Sequence, residues 1–268
     1  MSNLILNILF YPFSLRRKLL ISLLKRVPFL SYPTRVKYEA VDRPYYAYPL
    51  WHAARLAKGL GHDSVSVIEF GVAWGRGLLC LERHAREVEK HLGIRVEVYG
   101  FDTGEGLPPP ENYRDIPYYW TESMFKMDRA ALERRLTKAK LVFGNVSETV
   151  AQFAKDHNPA PIGAVIIDLD YYSSTRDAFR LMDFCRERML PRAYFFFDDI
   201  IGDDTVLMNP YVGEELAVNE FNQTHPHQKI TEVRYLTRGP GVDIWRQQMY
   251  AYHDFAHPDY TRVPAAVK

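Results

Sequence analysis

The sequence predicts an α/β fold: a doubly wound, mostly parallel seven-stranded sheet that ends in an antiparallel hairpin. Three observations predict it. Apolar runs of strand length, at 65–70, 94–101, 140–143, 162–167 and 193–197, alternate with helical patterns. These runs are nearly continuous rather than alternating, as strands buried on both faces must be. The first runs straight into a glycine turn and a helix, in the stretch VIEFGVAWGRG (67–77). Repeated strand–helix units of this kind give right-handed crossovers and a single parallel sheet. A chain of 268 residues that is 47% hydrophobic can bury one good-sized core.

Taken in order, residues 1–43 are expected to form a helical arm and 44–268 the main domain, with a lid insertion at about 104–139. Residues 3–30 are rich in Leu, Ile and Phe, but Asn7, Pro12, Ser14 and Arg16-Arg17-Lys18 interrupt them. No run is long enough to span a bilayer. The basic cluster follows the first apolar run, whereas a secretory signal places its charge first. Two readings remain: an arm that packs on the domain or on a second subunit, giving a homo-oligomer, or a basic interfacial membrane anchor. The charges of residues 16–26 spread around a helical projection, which favours packing. The expected location is the cytoplasm, with peripheral membrane contact left open.

Residues 44–60 read as a helix stopped by Gly61. The helix after the glycine turn, 78–92, places Leu78, Leu81, Ala85, Val88 and Leu92 on one face and stops at Gly93. His84 and His91 fall on its charged side, where solvation is expected. The second strand ends at Asp102 and the third at Gly144-Asn145, with Ser147 placed to cap a helix at 150–154. The fourth strand ends at Asp168-Leu169-Asp170. Its helix carries Ser174 and Asp177 like a capping box and turns Ala178, Leu181, Met182 and Cys185 inward. The fifth ends at Asp198-Asp199. Two strands, 230–236 and 242–245, are expected around the Arg238–Gly241 turn.

With 34 Lys and Arg against 33 Asp and Glu, net charge gives no case for nucleic-acid binding. Cys80 and Cys185 sit apart within helical patterns and read as core residues of a reducing compartment.

Three constellations carry chemistry. A dinucleotide site would show GxGxxG after its strand; here Gly71, Gly75 and Gly77 follow the order GxxxGxG, with Glu69 two positions before them. An acid there repels a pyrophosphate but suits a cofactor bearing an ammonium and a sulfonium. That favours S-adenosylmethionine over NAD. Asp102 closes the second strand 25 positions after Gly77, where an acid can accept from ribose hydroxyls. Asp168, Asp170, Asp198 and Asp199 arrive at the same sheet edge from two strand ends. Four such charges repel unless a proton or a cation intervenes, and an oxygen-only set suits Mg²⁺. Asp203-Asp204 read as local caps. In the insertion, Tyr113, Tyr118, Tyr119 and Trp120 suit a lid or a small outer core in equal measure.

These blocks carry a resemblance. VIEFGVAWGRG, GFDTGEGLP (100–108), IIDLDYYSSTRDA (166–178), FFFDDI (195–200) and EELAVNEF (214–221) resemble class I S-adenosylmethionine-dependent methyltransferases. Within these the sequence looks like the macrocin O-methyltransferase family of metal-dependent sugar O-methyltransferases. The terminal hairpin is the layout expected of that class. The resemblance implies that Glu69, Gly71, Gly75 and Gly77 line the donor, with Asp102 and Thr103 at its ribose and Asn145 facing the adenine. It makes Asp168, Asp198 and Asp199 metal ligands, Asp168 also touching the cofactor, and Asp170 the general base. Leu169 and the Tyr171-Tyr172 pair depart from the family's pattern and leave the acceptor open. The implied activity is methyl transfer to a hydroxyl of a sugar or glycosylated metabolite. A lipid-linked or non-sugar hydroxyl, or a non-catalytic cofactor-binding relative, are the alternatives.

Overall fold

The five apolar runs form the parallel strands that their pattern predicts. The computed structural model describes residues 12–238 and 243–267. β1 (Ser64–Phe70), β2 (Arg95–Asp102), β3 (Lys140–Phe143), β4 (Ile162–Ile167) and β5 (Met189–Phe197) pair in parallel. Two later strands, β6 (Gln228–Glu232) and β7 (Met249–Asp254), complete the order β3-β2-β1-β4-β5-β7-β6. Every residue of β1 and β4 is buried, because helices cover both faces there. Alternate side chains of β1 serve different layers: Val65 and Val67 join one core cluster, Ile68 and Phe70 the other.

After α1 (Pro12–Lys25), one layer holds α2 (Tyr32–Lys37), α3 (Pro44–Gly59) and α4 (Arg76–Leu92). The small face Ala47, Ala53, Ala54 and Ala57 lets α3 lie close to the sheet. It lies so close that a Cβ on Gly163 would stand 2.8 Å from the Ala53 methyl. The other layer holds α6 (Val146–His157), α7 (Tyr172–Phe179), α8 (Leu181–Phe184) and α9 (Gly213–Thr224); a short α5 (Arg129–Glu133) lies in the insertion. Cys80 and Cys185 are both buried and free. Among the described residues no helix is long and apolar enough to cross a membrane. In α1, Arg17 reaches Glu39 and Asp243, and Arg246 also pairs with Glu39, so ion pairs tie the arm to the domain. Leu19, Leu20 and Leu23 of the same helix remain exposed.

Several local expectations need correction. The last strand is Met249–Asp254, not 242–245, and it runs antiparallel to both β5 and β6. The Gly-Pro-Gly signal suggested a tight hairpin, but a turn at 234–237 and a 3-10 turn at Ile244–Arg246 take up the chain instead. Residues 239–242 of the expected turn lie outside those described. His84 is buried, not solvated: α2 covers it, Tyr32 Oη bonds its Nδ1 at 3.1 Å and its Nε2 donates to the Asp42 carbonyl at 2.8 Å. Burial lowers its pKa. Asn145, not Ser147, caps α6, which starts at Val146. The proposed Ser174–Asp177 capping box is absent, because α7 starts at Tyr172 and puts Ser174 inside the helix. Ala178, Leu181, Met182 and Cys185 are buried, as their spacing requires.

Candidate active site

The sheet order reverses between β1 and β4, and the crevice beyond the carboxyl ends of such neighbours is where open α/β sheets bind ligands. A cavity of about 340 Å³ lies there, within the range of small-molecule sites. Its floor is the β1–α4 turn. Gly71 has φ +82°, and a Cβ on it would stand 1.7 Å from the Asp168 carbonyl oxygen, so only glycine fits. The Asp168 N–H in turn bonds the Phe70 carbonyl at 2.9 Å, which locks the ends of β1 and β4 together. A Cβ on Gly77 would stand 1.8 Å from Glu69 Oε1, so α4 begins directly against that carboxyl group. Gly75 is different. It does not line the cavity; Leu132 of α5 covers it, leaving no room for a Cβ.

Glu69 is 1% exposed, with Tyr46 Oη donating to its Oε1 at 2.7 Å and no partner for Oε2. Burial pushes its pKa up to about 8, against the opposing pull of the Tyr46 hydrogen bond and of Arg43. Asp102 lines the cavity with its oxygens already engaged: Oδ2 accepts from Val72 N at 2.8 Å and Ala73 N at 2.9 Å, Oδ1 from Gly104 N at 2.6 Å. A carboxylate has about four acceptor positions, so roughly one is left for a ribose hydroxyl. Its first role is to shape the glycine loop. Thr103 and Asn145 also line the cavity. Thr103 Oγ1 donates to the Gly106 carbonyl at 3.0 Å, and Asn145 Oδ1 accepts from Ser147 N at 3.0 Å.

Asp168, Asp170, Asp198 and Asp199 also line the cavity, from the ends of β4 and β5. One carboxylate oxygen from each of Asp168, Asp198 and Asp199 falls within 4.8 Å of the others. Burial, then mutual repulsion, raises Asp168, Asp170 and Asp199 well above the usual carboxylate range. Burial raises Asp198 too, with Arg43 pulling it down. Asp170 takes a left-handed backbone, φ +60°, which a non-glycine residue adopts at a cost. Asp199 Oδ2 is buried without a partner. An all-oxygen donor set with an orphaned buried oxygen and uncompensated charge fits a hard divalent cation such as Mg²⁺.

Sequence reasoning missed several neighbours. Glu214, in the first turn of α9, is fully buried; its Oε2 accepts from Asp199 N at 3.1 Å and its Oε1 has no partner. The block EELAVNEF contained the signal, but acids at a helix start read as dipole partners. The Gln248 side chain donates to the Asp198 carbonyl from just before β7. Arg43 and Tyr46, around the start of α3, also line the cavity, as do Trp74, Trp120 and Phe125. Trp74 and Phe125 meet edge to face, with centroids 5.7 Å apart.

The insertion is fastened at both ends. Asp115, fully buried, accepts from Ser173 N at 2.8 Å and from Ser173 Oγ at 3.0 Å, joining the insertion to α7. Glu82 of α4 accepts from the backbone N–H groups of Thr137, Lys138 and Ala139. Those bonds hold its pKa low despite burial.

No protein-family model and no curated protein matches the sequence. Among solved structures, the chain is similar to CalS11, a calicheamicin methyltransferase, with 18% identity over 91% of each chain and a TM-score of 0.52. The fold is shared with a methyltransferase. An O-methyltransferase from Bacillus cereus in complex with SAH aligns over 90% of each chain at 13% identity, with a TM-score of 0.43. MycE methyltransferase in complex with Mg, SAH and mycinamycin VI aligns over 80% of this chain and 51% of its own at 15% identity, with a TM-score of 0.42. At those two scores the likeness carries no weight. The activity therefore has to be read from the cavity.

Proposed function

We propose that the chain is an S-adenosylmethionine-dependent O-methyltransferase acting on a hydroxyl of a small molecule, a sugar or glycosylated metabolite, with a divalent cation at Asp168, Asp198 and Asp199. One observation carries this reading: the glycine turn with its buried acid and the strand-end aspartate cluster open onto the same cavity. The fold shared with a methyltransferase supports it. A sulfonium supplies an electrophilic methyl group, and a divalent cation lowers the pKa of a nearby hydroxyl.

The residues divide the work. Gly71 and Gly77 keep the floor open for the donor, and Asp102 holds the loop that receives it. Glu69 meets the donor's cationic end. Asp168, Asp198 and Asp199 hold the cation, braced by Glu214 and Gln248. Asp170 stands where it can take the acceptor's proton. Trp74, Trp120 and Phe125 offer ring faces to the acceptor and help to keep water out, so that alignment supplies much of the acceleration.

Incubation with methyl-labelled S-adenosylmethionine and host extract, with and without EDTA, tests the whole reading. Cation-dependent label on a small hydroxylated product is expected. Calorimetry showing tight NAD binding and no S-adenosylmethionine binding would sink it. A lipid-linked acceptor is a second reading. Exposed Leu19, Leu20, Leu23 and Phe29 favour it, because they lie among the exposed Arg16, Lys18, Lys25 and Arg26. Co-sedimentation with anionic vesicles, with and without residues 1–30, separates the two.

A further inference from the structure

Arg43 lines the same cavity as Glu69, Asp168, Asp170, Asp198 and Asp199, yet among the described residues it forms no ion pair with any of them. A free guanidinium among so many acids would collapse onto one of them. Arg43 is held back. Its Nη1 donates to Tyr45 Oη at 3.2 Å, and its guanidinium lies over the rings of Tyr45 and Tyr46, 5.8 and 5.4 Å from their centroids. The backbone fixes its root: φ is +41° at the N-cap of α3, immediately before Pro44.

Tyr46 connects this cation to an acid. Its ring carries the guanidinium, and its hydroxyl bonds Glu69 Oε1 and leaves Oε2 unpartnered. An unpaired cation and a half-satisfied carboxyl group therefore flank one tyrosine. That arrangement complements an α-amino acid zwitterion, whose ammonium and carboxylate are separated by a single carbon. A ligand carboxylate could not otherwise enter a cavity this acidic. Arg76 is the other cation in the lining, but it is exposed at the start of α4.

We infer that Arg43 receives the carboxylate of the donor's methionine moiety, opposite Glu69 at its ammonium, so that the junction of arm and domain takes part in donor recognition. The inference rests on the methyl-donor reading above. It assigns a binding role to the arginine directly before α3.

Calorimetry on the full chain tests it with two probes. S-Adenosylhomocysteine carries the amino-acid end; 5′-methylthioadenosine has the same nucleoside and thioether without it. Losing one charged hydrogen-bonded contact should weaken S-adenosylhomocysteine binding about 10- to 100-fold in Arg43→Met. Methylthioadenosine should bind this variant as it binds the parent, which also shows that the variant is folded. Arg76→Met should change either affinity by less than about threefold. The inference is overturned if Arg43→Met binds S-adenosylhomocysteine normally, if it loses both probes alike, or if the selective loss appears in Arg76→Met instead. A parent protein that binds neither probe would instead remove the donor reading itself.

Discussion

Asp102 and the strand-end aspartates line one cavity and are treated in opposite ways. On the glycine-loop side, Asp102 is satisfied by three backbone N–H groups that the same fold supplies. At the ends of β4 and β5, Asp168, Asp198 and Asp199 crowd within 4.8 Å, with an orphaned oxygen on Asp199 and another on Glu214 beside it. Asp102 is satisfied by the protein alone. The strand-end cluster keeps buried oxygens without partners, and holding it in that state costs stability. Acids of equal formal charge therefore do different work: one builds shape, the others hold unmet attraction in reserve.

Substitutions should separate the two kinds of aspartate, beginning with the largest effect. Asp198→Asn should lower methyl transfer by about 10³-fold or more, because it removes a ligand of the proposed cation. It should also melt no lower than the parent in EDTA, since it relieves repulsion. Full activity in EDTA would end the comparison. Asp102→Ala should do the reverse. It strips three loop amides of their acceptor and should cost about 2–4 kcal/mol in denaturant unfolding. A parent-like midpoint would mean that water replaces the carboxylate at no cost.

Acid titration would blur this contrast unless His52 is accounted for. Burial, then Arg55, lowers its pKa from 6.5 to about 4, and its ring packs on Tyr48 and Tyr194. The unfolded chain binds that proton more readily, so the stabilisation is complete above about pH 6.5 and is lost as pH falls towards 4. His52→Phe should flatten this limb by up to ~3 kcal/mol, read as the pH dependence of unfolding. An unchanged acid limb would pass the effect to the cavity's carboxyl groups. The smallest effect belongs to the rim. Trp74→Ala removes one edge-to-face contact and should raise the acceptor KM about fivefold, with kcat nearly unchanged.

What the sequence revealed divides along similar lines. Strands were legible because burial on both faces leaves long apolar runs, and an acid that closes such a run must arrive at the ligand edge. Asp168, Asp170, Asp198 and Asp199 were found in that way, and the cavity gathers all four. Arg43 and Tyr46 precede the first strand, and nothing periodic links them to it; only the close packing of α3 on the sheet brings them in. Glu214 looked like an ordinary helix-start acid, since its role depends on a neighbour 15 residues upstream. His84 shows the same limit: an amphipathic pattern marks a polar face, but not the arm that will cover it. Gly75 was read as floor because its spacing suits a ligand loop, whereas its open side belongs to Leu132.

The clasp between Asp115 and Ser173 has a further consequence. Opening the insertion at that end would strand a buried carboxylate, at about 1–3 kcal/mol or more, and Glu82 imposes a similar restraint near residue 138. Between those clasps the insertion is pinned again: the Tyr118 hydroxyl donates to the Val206 carbonyl at 2.6 Å, and Leu107 exchanges backbone bonds with Met124 and Ser123 at 2.9 Å. A bulky ligand would have to break that frame to enter the cavity past Trp120 and Phe125. Under the proposed function, that frame would sort acceptors by girth before any hydroxyl reached Asp170.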